Sequence, residues 1–210
     1  MVLSIAVSKG RLLDSFIEIL EKAKYPCDNL KKETRKLVIE SKEAGLRFIL
    51  AKPADVPTYV EYGAADLGVV GKDTLMEADK NVAELVDLGY GRCQLVVAIP
   101  KALGITNVTD LDFNSRVASK YPRITLEFFN KKGIQVEIIP LNGSIELGPI
   151  IGLSEAIVDI TETGRTLVEN GLVVIDTIME STSRLIANQV SLKTKRQEVF
   201  DLVKAIEGVI

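Results

Sequence analysis

Ala156-Ile157-Val158-Asp159-Ile160-Thr161-Glu162-Thr163-Gly164-Arg165-Thr166-Leu167 passes from an apolar, β-branched run through a polar turn into a helix-compatible segment. Strand, polar loop, helix is the local geometry that holds phosphate. Thr163 and Thr166 offer hydroxyls, Gly164 lets the backbone approach a ligand, and a following helix aims unpaired N–H groups at an anion. An ordinary helix N-cap uses the same residues, because threonine-rich turns beside a carboxylate open helices that bind nothing.

Working outward, the unit recurs. Upstream lie a strand near 116–119, a helix over 124–132, a strand over 136–141, a helix over 144–151 and the strand 156–160. The apolar runs 94–99, closed by Pro100, and 66–71, running into Lys72-Asp73, suit sheets covered on both faces. Residues 3–7 form a first strand, followed by Leu12, Phe16, Ile19, Leu20 and Ala23 at helical spacing. Residues 36–40 and 46–51 read as an antiparallel hairpin, Pro53 ends it, and 55–62 looks helical. Val199, Leu202, Val203 and Ile206 mark a last helix within 195–210. Alternating elements imply an α/β fold. Two groups of them predict two lobes, 1–94 with 184–210 and 95–183. The strand around Val96 would pass between them, 184–187 would be the second crossing, and ligand would sit in a cleft beyond the carboxyl ends of the strands.

At 210 residues, 47% hydrophobic and 26% charged, the chain can bury the core of one or two domains, and a disordered or fibrous protein is excluded. A net charge of -3 argues against a nucleic-acid binder, so any anion must be met by local cations. The sequence has no histidine, which removes a Ser-His-Asp triad, a Cys-His pair, a His general base and every His-containing zinc site. Cys27 and Cys93 are far apart without a partner motif and read as two thiols of a reduced chain. The first residues carry no basic segment, their apolar run is short, and no stretch approaches the ~18 apolar residues of a membrane span. A soluble, cytoplasmic protein is expected.

Other polar loops leave strand ends. Ser8-Lys9-Gly10-Arg11 combines two cations, a permissive glycine and a helix start, the makings of a second anion site or of a solvated basic turn. Lys52 follows the strand 48–51. Gly71-Lys72-Asp73 follows the strand 67–70, where a capped helix start at Asp73 explains the residues equally well. Leu141-Asn142-Gly143-Ser144-Ile145-Glu146 places Ser144 near a helix N-cap, and Ser119-Lys120-Tyr121-Pro122-Arg123 does something similar. Together these loops call for a ligand with several phosphates.

The chain resembles the short form of ATP phosphoribosyltransferase from end to end. Its strongest part is the signature spacing of Glu146, Gly152, Ser154, Ile157, Asp159, Ile160, Thr163, Gly164, Thr166 and Leu167. Supporting pieces are Ser8-Lys9-Gly10-Arg11-Leu12, Asp55-Val56-Pro57-Thr58-Tyr59, Ala65-Asp66-Leu67-Gly68, Gly71-Lys72-Asp73 and Ser119-Lys120-Tyr121-Pro122. The resemblance implies a two-lobed fold like that of type II periplasmic binding proteins, with ATP, 5-phosphoribosyl 1-diphosphate and Mg²⁺ as ligands. By the same resemblance, Thr161, Glu162, Thr163, Gly164, Arg165 and Thr166 hold the donor's 5-phosphate. Lys9, Gly10, Arg11, Lys52, Gly71, Lys72 and Asp73 serve the diphosphate and ATP, and Lys9, Arg11, Glu146 and Asp159 form the catalytic set. Two positions depart from the family's usual pattern: Lys52 replaces a frequent arginine and Gly148 a frequent alanine. A lysine offers a point charge where arginine offers a bidentate fork.

The implied reaction joins adenine N1 of ATP to the anomeric carbon of the donor with loss of diphosphate. It asks for alignment and charge stabilisation and needs no histidine. The chain stops soon after its last helix, without room for the long form's regulatory domain. A catalytically inactive relative of histidyl-tRNA synthetase is therefore the expected partner, in a hetero-oligomer built on a homodimer. A non-catalytic small-molecule-binding module of the same fold is the rival reading.

Overall fold

The computed structural model describes residues 2–31 and 35–210. In chain order it contains β1 (Leu3–Ser8), α1 (Arg11–Lys22), β2 (Val38–Ser41), β3 (Leu46–Ala51), α2 (Val56–Glu61), β4 (Leu67–Gly71), α3 (Lys72–Ala78) and β5 (Ala83–Asp87). There follow β6 (Cys93–Pro100), β7 (Ser115–Ser119), α4 (Pro122–Lys131), β8 (Val136–Pro140), α5 (Leu147–Ile150), β9 (Ala156–Thr161), α6 (Arg165–Glu169) and β10 (Leu172–Ser181). The described chain ends with β11 (Ser183–Ala187), α7 (Ser191–Thr194) and α8 (Arg196–Glu207). It divides into two units, 1–91 with 182–210 and 92–181.

The first unit is built on a six-stranded sheet of order β2-β3-β1-β4-β11-β5. β1 runs parallel to β3 and β4, while β2 and β11 run antiparallel to their neighbours. Side chains alternate across a strand. Accordingly Leu3, Ile5 and Val7 of β1 enter one buried cluster with Phe16, Leu20, Val199, Leu202 and Ile206 of α1 and α8. Ala6 enters a second cluster with Val56, Val60 and Leu75 of α2 and α3. Both faces are covered, which is why these strands read as unbroken apolar runs. The last helix belongs to the first unit.

The second unit carries a five-stranded sheet of order β10-β6-β9-β7-β8, parallel across β9, β7 and β8 and antiparallel where β6 meets β9 and β10. Val96, Ala98, Ala118, Ile157, Leu167 and Leu172 pack into one cluster on it.

Two expectations about the connections are corrected. The strand around Val96 does not pass between units: β6 is paired with β10 and β9 inside the second sheet. Residues 184–187 are not a crossing strand either, because β11 lies between β4 and β5 in the first sheet. The crossings fall at 91/92 and 181/182, a few residues ahead of 94/95 and 183/184.

Candidate functional site

Register places the strand-end loops of each sheet on one edge. In the first unit Ser8 pairs with Ala51 and Val7 with Val69, so β1, β3 and β4 end side by side. Lys9-Gly10-Arg11, Lys52 and Gly71-Lys72-Asp73 leave from that edge. Gly10 carries the turn at φ 88° and ψ −153°, a backbone region essentially reserved for glycine, and it is the N-cap of the twelve-residue α1. Lys9, Arg11 and Lys52 are exposed. Lys72 is committed elsewhere, its ammonium 2.5 Å from Glu84 on β5. Asp73 is buried at the start of α3 and accepts the Thr74 hydroxyl at 3.1 Å. A Cβ on Gly71 would collide with its carboxylate. The N-cap of α3 is Gly71, without a side-chain cap bond, and Asp73 is the acid of its first turn.

In the second unit Ser119 pairs with both Pro140 and Val158, so β7 and β8 end at one level, while β9 runs three residues farther, to Thr161, in its ladder with β6. Asp159 sits one residue past that level. Burial pushes its carboxyl up to about 6; the Ile160 N–H, donating to Oδ1 at 2.8 Å, opposes this, Glu146 adds to it and Lys120 subtracts. Glu146 from the loop after β8 and Lys120 from the loop after β7 are thus near enough to act on the charge of Asp159. Lys120 was not among the expected site residues, although its strand-end position was the available signal.

The loop 162–164 is held by its own threonines. The Gly164 N–H donates to Thr161 Oγ1 at 2.9 Å and the Arg165 N–H to Thr163 Oγ1 at 3.4 Å. Gly164 adopts φ 74° as N-cap of α6, where no side-chain cap bond is made. α6 is only five residues long, so its dipole adds little and any phosphate here relies on the loop hydroxyls and on Arg165. Arg165 is exposed and bonds Glu169 at 2.8 Å, an i,i+4 surface pair easily exchanged for a ligand. Glu162, Thr163 and Thr166 are exposed as well.

The helix expected over 144–151 is the four-residue α5. Pro149 explains this: lacking an N–H, it fits only a helix's first turn, so the helix cannot begin at Ser144. Ser144 instead takes a left-handed turn at φ 48° and its carbonyl accepts the Leu147 N–H. Among the described residues no group of three or more His, Cys, Asp or Glu side chains gathers as a metal cage. Nor is any described helix long and apolar enough to cross a membrane.

A family profile, "HisG: ATP phosphoribosyltransferase", matches residues 52–208. The chain belongs to this family. An ATP phosphoribosyltransferase of Caldanaerobacter subterraneus subsp. tengcongensis is 52% identical over 209 residues, covering 100% of this chain and 98% of the relative. One from Geobacter metallireducens is 49% identical over 205 residues, covering 98% and 97%. Among solved structures, the ATP phosphoribosyl transferase (HisG:HisZ) complex from Thermotoga maritima superposes with a TM-score of 0.85 at 36% identity, over 99% of this chain and 98% of that one. The periplasmic aliphatic sulphonate binding protein SsuA of Escherichia coli gives 0.66 at 13% identity, over 99% and 72%. That second likeness concerns the fold alone, and it is the fold of type II periplasmic binding proteins. The reaction of the ATP phosphoribosyltransferase family is the first step of histidine biosynthesis.

Proposed function

We propose that this chain transfers the 5-phosphoribosyl group of 5-phosphoribosyl 1-diphosphate to N1 of ATP, with the second unit's strand-end loops as the donor site. The observation that carries this division is that the signature loop 161–166 leaves the end of β9 that holds Asp159, a buried carboxylate on whose charge Glu146 and Lys120 both act. The hydroxyls of Thr161, Thr163 and Thr166, the Glu162–Gly164 backbone and the Arg165 guanidinium take the 5-phosphate. Glu146 and Asp159 orient the ribose hydroxyls.

At the first unit's edge Lys9, Gly10, Arg11 and Lys52 serve the diphosphate and the ATP phosphates, while Lys72 stays paired with Glu84 and Asp73 stays buried at the start of α3. The N1–C1′ bond forms as the C1′–O bond breaks, and the departing diphosphate keeps the electron pair. Adenine N1 already holds a lone pair, so the protein supplies alignment and charge rather than a strong base. Lys9 and Arg11 stabilise the leaving group.

Mg²⁺, an ion commonly held by one or two carboxylates plus substrate phosphates, would neutralise charge on the departing diphosphate. The chain works in the cytoplasm, as a homodimer within a hetero-oligomer whose second subunit resembles histidyl-tRNA synthetase; the Thermotoga maritima relative is solved as a HisG:HisZ complex. The test is formation of N1-phosphoribosyl-ATP from ATP, donor and Mg²⁺, with and without that subunit. Product with dependence on the subunit supports the whole reading. Product without dependence removes the partner, and no product in either mixture removes the reaction.

A further inference from the structure

We propose that Ser119 is the positioning residue of the second unit's site, its buried hydrogen bonds holding in one arrangement the turn through Lys120, the loop that leads to Glu146 and the part of β9 that carries Asp159. This rests on the donor-site reading above and deepens it. Ser119 is 0% exposed and closes β7. Its hydroxyl donates to the carbonyl of Val158, the residue before Asp159, at 2.8 Å. The same oxygen accepts the Tyr121 N–H at 2.9 Å and so fixes the turn through Lys120. Its carbonyl accepts the Leu141 N–H at 2.9 Å, anchoring the loop that leads to Glu146.

Thr125 of α4, also 0% exposed, completes the arrangement. Its single hydroxyl proton has two acceptors, the Tyr121 carbonyl at 2.6 Å and Ser119 Oγ at 3.0 Å. Every hydroxyl in this group is satisfied without water, and satisfied buried networks specify one geometry. Beyond the level of Ser119 the ladder with β6 holds Asp159, and the Ser119 hydroxyl ties the turn through Lys120 to that strand.

The consequence reaches the site through Asp159. The charged groups that act on it are Glu146 and Lys120, and on the flanking β6 its register partner is the neutral Val96. Burial is the main reason its carboxyl titrates near 6. Loosening the loops admits water and lowers that value.

The experiment is carbon NMR of the full-length protein with carboxyl-labelled aspartate, followed across pH, beside donor kinetics. In the wild type one signal titrates near 6 and disappears in Asp159→Asn. In Ser119→Ala it falls by ~1 unit toward the ordinary aspartate value, and donor kcat/KM follows the same displaced pH profile. Thr125→Val, which removes the hydroxyl's bonds to Tyr121 and Ser119 but leaves the Thr125 N–H on the Tyr121 carbonyl and the Ser119–Val158 bond, shifts it in the same direction and decides the matter if Ser119→Ala does not fold. Thr125→Ser keeps the hydroxyl and retains the wild-type titration. Wild-type titration in both Ser119→Ala and Thr125→Val overturns the proposal. An Asp159→Asn enzyme with unchanged donor kinetics overturns instead the donor-site reading on which it rests.

Discussion

The Lys195 ammonium lies 2.8 Å from Asp66 Oδ2, although 129 residues separate them in sequence. The same oxygen accepts the Ser4 N–H and hydroxyl, each at 2.8 Å, and Oδ1 accepts the Ser191 hydroxyl at 2.7 Å. One carboxylate thus joins β1, β4, α7 and the approach to α8, at the sheet edge opposite Lys9. Burial alone would raise its pKa; Lys195, the Ser4 N–H and the two hydroxyls outweigh it and hold the group below the ordinary value. A depressed folded-state pKa gives stability that is complete above the unfolded value of ~3.9 and is lost as pH falls through the folded value. Asp66→Asn should cost ~2–3 kcal/mol at pH 7 by leaving Lys195 without its counter-charge. Urea unfolding measures this, and the gap to wild type should close below pH ~4.

Gly148 faces Ser154 Oγ, a buried hydroxyl with no hydrogen-bond partner among the described residues. A Cβ at Gly148 would lie 2.7 Å from that oxygen and 3.0 Å from the Ala118 Cβ. Gly148→Ala should therefore destabilise by ~1–3 kcal/mol, the usual cost of overpacking. Ser154→Ala should be nearly neutral, because the hydroxyl it removes is unsatisfied. The double variant should recover most of the loss, since the Ser154 Cβ is 3.8 Å away. Additive effects in the thermal melts would show that Ser154 is not the obstacle.

Much of this architecture can be read from the sequence, and the gaps have physical causes. The strand ends near Ser8, Ala51, Ser119 and Thr161 are legible because both sheet faces are covered and the strands stay largely apolar until they stop. β10 is not legible, although it is ten residues long. It is an edge strand whose register shifts between Val174 and Asp176 and again between Thr177 and Met179, so its side chains keep no steady alternation. β5, another edge strand, buries only Val86. At the site, residue types and strand-end positions are visible in sequence. That Lys72 spends its charge on Glu84 is not, because the pairing is set by sheet order.

Arg165 and Thr166 lie on the exposed side of the signature loop, so replacing them removes ligand contacts without opening a core. Arg165→Ala and Thr166→Ala should each raise the KM for the phosphoribosyl donor by ~10-fold or more while the far-UV spectrum stays unchanged, the charged contact being worth ~1.5–3 kcal/mol. The KM for ATP should move far less. Unchanged donor kinetics in both variants would remove the loop from the 5-phosphate site.

Asp159 sets function against stability. Its folded-state pKa of about 6 lies above the unfolded value of ~3.9. Between those values the folded protein binds the proton that the unfolded chain has released, so stability declines as pH rises through that window. At pH 7.5 the ionised carboxylate is a burden on the fold, which the neutral, isosteric Asn removes. Asp159→Asn should therefore be more stable than wild type by ~1–2 kcal/mol at pH 7.5 and equal to it near pH 4. The same substitution should lower donor kcat/KM by ~10²-fold, because the carboxylate that orients the ribose is gone. In the wild type, donor kcat/KM should rise with pH through about 6 as Asp159 ionises. Thermal melts at the two pH values, set beside the kinetic profile, test both halves together. A variant that is less stable at pH 7.5 would show that the carboxylate supports the fold and is not strained by it.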